Sequence, residues 1–480
     1  MKISFPVRIY LIALILRLIP ILATRGLGIG LDDMFQYDML ARSLASGNGF
    51  RWYAQDDLKL LEPYVDFDLS SAQDYDPQYG LYTSFRAPLY PAFLSLVYTL
   101  SGLDFSRFFW ARLAQAIFLG APLAPLTYLL ARQIFSSKND AQSGADKTAR
   151  FAAWLVAAYP MLLVYPLGLG TENLFFILLL ASFYFLLHSI ETPSATHLLL
   201  AGSLLALTAL TRSVILPFAG LAIFYLFFLH GRRALLTGLA FVVIVSPWVA
   251  RNSLLHGKLT GIETSMGYNL YLGYHPDGNG SFTFGPSLDL LTIMNDAERD
   301  EAGTQQAYEF IREDPGRFVP LLLNRLSFFF GLEKRVLIYF YSNNILGYIP
   351  SPWLLLISIT LLLPFVFLSV FAVLGFAATE SPPRRFLIGL LLWTYILPHV
   401  LILAEDRFHL ALIPFLAVFA AHAVTLLREH KLRMQVGRGL GFAMVIVLLL
   451  LFNWGWELVR DADKIAALLG PGGNTLHFPY

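Results

Sequence analysis

Residues Pro352–Phe376 read PWLLLISITLLLPFVFLSVFAVLGF, 25 residues without one charged side chain. About 20 apolar residues in a row span the hydrocarbon of a bilayer as a helix, so this stretch alone places the chain in a membrane. Working outward, comparable runs lie at Val7–Thr24, Phe108–Ile134, Arg150–Leu167, Asn173–Ile190, Leu198–Thr211, Val214–Leu229 and Ala234–Ala250. Towards the C-terminus they recur at Phe386–Leu403, Leu410–Leu427 and Leu440–Trp456. The expected fold class is an all-α polytopic membrane protein with roughly 11–13 transmembrane helices. Composition agrees: the 480 residues are 56% hydrophobic and only 14% charged, against roughly a quarter charged in soluble proteins. A net charge of +1 offers no global field for nucleic acid. The absence of cysteine excludes disulfide frameworks, thiolate metal sites and cysteine nucleophiles.

Val7–Thr24 is too long for a signal-peptide core and lacks a small-x-small cleavage site, so it reads as an uncleaved first helix. Short basic loops set the orientation. Lys138 and Lys147, Arg232 and Arg233, Arg384 and Arg385, and Arg428 with Lys431, Arg433 and Arg438 share one side if spans alternate. The positive-inside rule assigns that side to the cytoplasm. The parity requires Pro88–Gly102, short for a crossing, to be re-entrant or to lie along the surface, or else a second short crossing beside it. Two long loops are then external. Arg25–Arg86 carries ten Asp/Glu against five Lys/Arg, and Arg251–Pro350 is the largest polar stretch. Within the second, Arg317–Leu332 is apolar but broken by Asn324 and Arg325, the pattern of an interfacial helix.

In the first loop, Phe35, Met39, Leu40, Leu44 and Ala45 recur at helical spacing. They predict an amphipathic helix over Met34–Ser46 lying on the membrane, stopped by Gly47. Asp32 and Asp33 fall at its N-cap, where aspartate is favoured. One reading makes Asp32 a plain cap and leaves Asp33 pointing into the space above the bilayer; the residues alone leave the choice open. Further along, charges gather at five outer boundaries: Arg86; Glu172; Arg212; Arg251 with Asn252; and Glu405, Asp406, Arg407 and His409. An arginine near a helix end usually snorkels, and a single loop acid is usually just solvated. Yet a charge within a span costs roughly 2.5–3.5 kcal/mol, so five such boundaries on one side form a pattern. Arginines at head-group depth suit a lipid phosphate, held by charge-assisted hydrogen bonds. A carboxylate above them suits a base acting on a hydroxyl. No HExxH, GxSxG, Walker-A loop or helically spaced histidine pair points to other chemistry.

These residues resemble the bacterial GT-C membrane glycosyltransferases related to dolichyl-phosphate-mannose protein mannosyltransferase and lipid A aminoarabinose transferase. The resemblance runs through DDMFQYDMLARSLASGNGF (32–50), FRAPLYPAFLSLVY (85–98), ARLAQAIFLGAPLAPLTYLLARQIF (111–135), TENLFFILLL (171–180) and LTRSVILPF (210–218). It continues in SPWVARN (246–252), GYNLYLGYHPDGNGSF (267–282) and DRFHLALIPFLAVFAAHA (406–423). Each motif is weak alone; their order together is specific. The resemblance implies transfer of a sugar from a polyprenyl-phosphate carrier to a protein, lipid or glycan acceptor on the outer face, with inversion. It implies an acidic residue of the first loop as base, matching Asp33 with Tyr37 and Ala41 behind it; the family often has Asp-Glu where this chain has Asp32-Asp33. Glu172 matches a second acidic position. Arg86 and Arg212 match basic positions that approach the lipid phosphate, where the aminoarabinose transferase has lysines. Arg251, Asn269, His275 and Arg407 are further substrate-binding candidates. No metal and no other cofactor is expected. Three regions follow: 1–250, a catalytic transmembrane module with external loop 25–86; 251–350, an external loop shaping the acceptor site; and 351–480, C-terminal helices and an external tail. The rival readings are a transporter or flippase of lipid-linked sugars, which wants ionisable groups deep in the spans, and a non-catalytic envelope assembly subunit, for which Asp33 and Glu172 are replaceable.

Overall fold

In hydrocarbon a backbone has to satisfy its own polar groups, and each apolar run of this chain is helical. The computed structural model describes residues 3–67, 69, 72, 74–135, 142–338, 341, 344, 347–379 and 382–475; Lys138, expected among the basic loop residues, lies outside them. In chain order the helices that build the site are α1 (Phe5–Ala23), α2 (Asp33–Ala45), α3 (Leu89–Ser101), α4 (Arg107–Phe135), α5 (Gln142–Ala157), α6 (Pro160–Val164), α7 (Thr171–Glu191), α8 (Ala195–Ala209), α9 (Leu216–His230) and α10 (Leu235–His256). They continue as α11 (Met266–Tyr274), α12 (Asp296–Glu313), α13 (Phe318–Phe329), α14 (Ser351–Ala377), α15 (Pro382–Leu401), α16 (Ile413–Arg428) and α17 (Leu440–Arg460).

Among the described residues, eight helical stretches are long and apolar enough to cross a membrane, or nine if the chain bent by 54° at Pro160 counts as one span. One of the eight, Ser213–His256, is 44 residues long and folds back on itself at Gly231, whose φ is 58°. Its two ends meet: Ser213 donates to Glu263, while Trp248 and Asn252 donate to Ile262 next door. With α9 and α10 taken as a hairpin and α8 as a further short span, the roughly eleven crossings read from the sequence are present. Helix α3 does not cross. Its first N–H bonds Leu210, and Tyr98 near its far end bonds Asp38 of α2, so both ends lie at one end of the bundle. At the other end Arg384 joins Ile134 and Glu191, the ends of α4 and α7.

Close packing comes from small residues. A Cβ on Gly202 would sit 2.2 Å from the Thr237 carbonyl, and one on Gly375 would sit 1.9 Å from that of Phe419. Backbones therefore touch between α8 and α10 and between α14 and α16. The break between α5 and α6 has a partner of another kind. Pro160 ends the hydrogen-bond ladder and leaves carbonyls unpaired inside the bundle. Arg17 of α1, fully buried, donates to Ala157 at 3.3 Å and Val156 at 3.4 Å.

The layer above the spans is built from both long loops. A two-stranded ribbon, β1 (Arg51–Trp52) and β2 (Leu81–Tyr82), pairs Arg51 with Tyr82 and Trp52 with Leu81. Helix α2 forms as expected but does not lie bare on the membrane. Phe35, Tyr37, Asp38, Met39, Leu40 and Ala41 are all buried, because the ribbon covers one side and α3 the other. The loops meet where Asp296 at the start of α12 accepts from Thr83 Oγ1 at 2.6 Å and Ser84 N at 2.7 Å. Helix α13 is the expected interfacial helix, with Val319 and Leu323 exposed. Its Arg325 is fully buried: it donates to Val400, Leu401 and Gly273 carbonyls and ties α13 to the end of α15.

Candidate active site

The N-terminus of α2 separates the two adjacent aspartates. Asp32 is the N-cap, its Oδ1 accepting from Met34 N at 2.8 Å. Asp33 is therefore the first helical residue, with its carboxylate left for other partners. One oxygen takes a hydrogen bond from Arg86 Nη2, and the other takes one from Arg407 Nη2 at 3.2 Å. Arg86 is braced by Gln36, whose Oε1 accepts from Nε at 2.8 Å, and by the rings of Phe85 and Tyr37.

Glu172 is not in a solvated loop, as the sequence suggested. It occupies the first turn of α7, where the helix dipole favours an acid, and it is buried. Its Oε1 lies 2.7 Å from Arg212 Nη1 and 3.8 Å from Arg407 Nε. Arg212 stands in extended backbone between α8 and the 3-10 turn Ser213–Ile215. Glu263 holds that turn by accepting from Ser213 N and Oγ. Arg407 is carried by a 3-10 segment, Asp406–Leu412, ahead of α16. Its Nε is 2.7 Å from Glu405 Oε2, which lies 3.0 Å from Arg335 Nη1. Three carboxylates thus each stand between two guanidiniums, and Arg407 is common to all three.

Below this cluster a buried group fixes the backbone. His409 Nδ1 contacts the Phe329 carbonyl at 2.6 Å and Nε2 contacts Glu333 Oε1 at 3.0 Å. Tyr159 donates to the same Glu333 oxygen at 2.6 Å, and Phe365 stacks on the imidazole. The segment bearing Arg407 is thereby pinned to the segment bearing Arg335.

The recess is enclosed but not sealed. The Asp33 side chain keeps 34% of its surface open, although residues of α2, the β2–α3 connection, α7, the α8–α9 junction and the Arg407 segment surround it. Burial pushes the Asp33 carboxyl up, but Arg86, Arg407 and Arg212 more than reverse this and hold it well below the usual carboxylate range. Burial, then the charge of Asp33, raises Asp32 instead. The two adjacent acids differ in proton affinity because Asp33 is paired directly with arginines, whereas at Asp32 burial and the charge of Asp33 outweigh the pull of Arg407 and Arg335.

Of the residues singled out in the sequence, the structure brings together Asp33, Glu172, Glu405, Arg86, Arg212 and Arg407, with Tyr37 beneath Arg86 and Asp32 beside Asp33 as the cap. Arg251, His275 and Asn269 lie apart. Arg251 donates to the Thr83 carbonyl at 2.5 Å and to Asn252 at 2.9 Å, fastening α10 to the ribbon. His275 packs on Tyr271 and Phe310 at the end of α11. Asn269 sits half-buried on α11, with no side-chain hydrogen bond among the described residues. Arg335 and Glu263 escaped the sequence reading. Arg335 had a signal, the charged EKR triplet (333–335) inside an apolar stretch; Glu263 had none. Among the described residues, no three acidic or histidine side chains gather in a way that would hold a metal ion.

No protein-family model matches the chain, and no curated protein does. Among solved structures the chain is similar to the Archaeoglobus fulgidus oligosaccharyltransferase in the apo form, at 16% identity and TM-score 0.47 over all of this chain and 60% of that one. It is also similar to ArnT from Cupriavidus metallidurans bound to undecaprenyl phosphate, at 14% identity and TM-score 0.39 over 87% of this chain and 77% of that one. Scores this low carry no argument about chemistry, and the chain spans only 60% of the oligosaccharyltransferase. Its function has to be read from its own recess.

Proposed function

We propose that this protein is an inverting glycosyltransferase, moving a sugar from a polyprenyl-phosphate donor to a hydroxyl-bearing acceptor. The observation that carries the reading is Asp33: a solvent-accessible carboxylate set among arginines at the mouth of a helical membrane bundle. A base that takes a proton from a hydroxyl has to be open to that hydroxyl. A leaving phosphate needs donors fixed where its charge develops. In this reading Asp33 accepts the acceptor's proton while the oxygen attacks the anomeric carbon. The bond from that carbon to the phosphate oxygen breaks, and Arg86 and Arg212 take up the charge. Glu172 orients Arg212, and Tyr37 supports Arg86. Residues 1–250 supply the base and most phosphate ligands, 251–350 shape the acceptor side, and 351–480 contribute Arg407. In this reading the ends of α4 and α7 that meet Arg384 belong to the basic, cytoplasmic face, and the positive-inside rule supports a recess on the outer face of the cytoplasmic membrane. A transporter reading wants ionisable groups along the spans, but Arg17 inside α1 is already committed to backbone carbonyls.

The test is native mass spectrometry of the detergent-purified protein. The expected result is a co-purifying polyprenyl phosphate or its glycosylated form, lost in Arg86→Ala and Arg212→Ala, with the extra mass naming the sugar. A protein that holds no such lipid, even after undecaprenyl phosphate is added back, overturns the reading.

A further inference from the structure

The three carboxylates of the recess do not share their arginines evenly. Asp33 has Arg86 to itself, Glu172 has Arg212, and Glu405 has Arg335. Arg407 is the fourth guanidinium and is divided among all three, at 3.2 Å, 3.8 Å and 2.7 Å. Its buried Nε–H makes no hydrogen bond among the described residues, because neither nearby carboxylate lines up with it. If Arg407 swings away, each carboxylate keeps an ion pair and no buried charge is stranded. Removing Arg86, Arg212 or Arg335 instead leaves one carboxylate dependent on the shared Arg407 alone. The backbone under Arg407 is fixed by the His409–Glu333 contact, so the side chain alone is free to change partners.

A phosphate ester presents compact charge and several oxygens that match a guanidinium fork, whereas the carboxylates give Arg407 one single hydrogen bond, from Nη2 to Asp33, and only off-axis or long contacts at Nε. We propose that Arg407 binds the donor phosphate by releasing Asp33, so that the arriving donor itself frees the base and must precede proton transfer from the acceptor. The proposal rests on the transferase reading above and adds an order to it. Without donor, Asp33 is held by Arg86 and Arg407 and is a weak base. With the phosphate on Arg407, one Asp33 oxygen is open. The acceptor O–H proton then passes to that oxygen, the acceptor oxygen bonds the anomeric carbon, and the electron pair of the broken C–O bond leaves on the phosphate. A recess that activates its base only under donor does not waste the carboxylate on water.

The experiment is undecaprenyl phosphate affinity by native mass spectrometry at fixed salt for wild type, Asp33→Asn, Arg407→Gln and the double variant. Competition predicts that Asp33→Asn binds the lipid phosphate about tenfold more tightly and Arg407→Gln about tenfold more weakly. In the Arg407→Gln background the gain from Asp33→Asn should vanish. Arg407→Lys, which keeps the charge without the fork, closes the same cycle if the glutamine variant does not fold. Unchanged or weaker binding by Asp33→Asn overturns the proposal. So does a gain that persists without Arg407, since release then runs through Arg86. Wild-type protein that binds no lipid overturns the transferase reading, and this proposal with it.

Discussion

Asp33 and Asp38 lie on the same helix, and both face two arginines. Asp38 is closed. Its Oδ1 accepts from Arg107 Nε and Tyr98 Oη, its Oδ2 accepts from Arg42 Nε and Arg107 Nη2, and its side chain is 2% exposed. Asp33 takes one bond on each oxygen and keeps a third of its surface open. The arginines at Asp38 are anchored by further partners of their own, Arg42 on Asp57 and Arg107 on the Leu103 carbonyl. One of those at Asp33 is the shared Arg407. A charge whose every lone pair is taken in a dry place holds a fold together. A charge with spare capacity and a movable partner is available for chemistry.

The sharpest way to break this comparison is to neutralise each aspartate. Asp33→Asn should lower transfer about 10²–10⁴-fold and cost less stability than the change at Asp38, because Arg86 keeps Gln36 beside an open recess; turnover of donor in proteoliposomes measures the first, and full activity with Asp32 intact moves the base elsewhere. Asp38→Asn should instead cost about 3–5 kcal/mol of stability, because it strands the Arg107 charge. Thermal unfolding in detergent reads that loss, and a wild-type midpoint would mean the closed cluster is not structural. Arg212→Ala should weaken polyprenyl phosphate binding by about 10- to 100-fold, the worth of a charge-assisted hydrogen bond, while the fold survives because Glu172 still faces Arg407. Lipid titration separates the two effects. The smallest change belongs to Asp32→Ala: about 1 kcal/mol for a lost cap and retained transfer. Loss of transfer in that variant, with α2 intact by circular dichroism, would assign the base to Asp32.

What the sequence made legible follows the range of the forces involved. Spans, the start of α2 and its Gly47 stop are set by neighbours within a few residues, and each was readable; the break at Pro160 inside Arg150–Leu167 was not read, although its signal is local. The pairing of Glu172 with Arg212 was within reach, because both end spans on one side. Arg407 was visible as a boundary charge but not as the hub. Its contact with Asp33 joins residues 374 apart, and nothing local says which of several outer ends will meet. Arg325 misled for the same reason: beside Asn324 it reads as a polar break at the water line, but three backbone carbonyls from distant segments claim it. His275 and Arg251 carry plausible chemistry at the right face yet are spent on packing α11 and on fastening the ribbon.

Arg17 sets a schedule for making the protein. Helix α1 is translated before its distant acceptors, the Val156 and Ala157 carbonyls, which follow 139 and 140 residues later. At about 5–20 residues per second, the gap is on the order of ten seconds. Throughout that time α1 carries a charge that costs roughly 2.5–3.5 kcal/mol in hydrocarbon, received only by the Ala13 carbonyl of its own helix. Helix α1 is thus fully seated only when the proline break of α5 and α6 arrives, so it is made early and secured late.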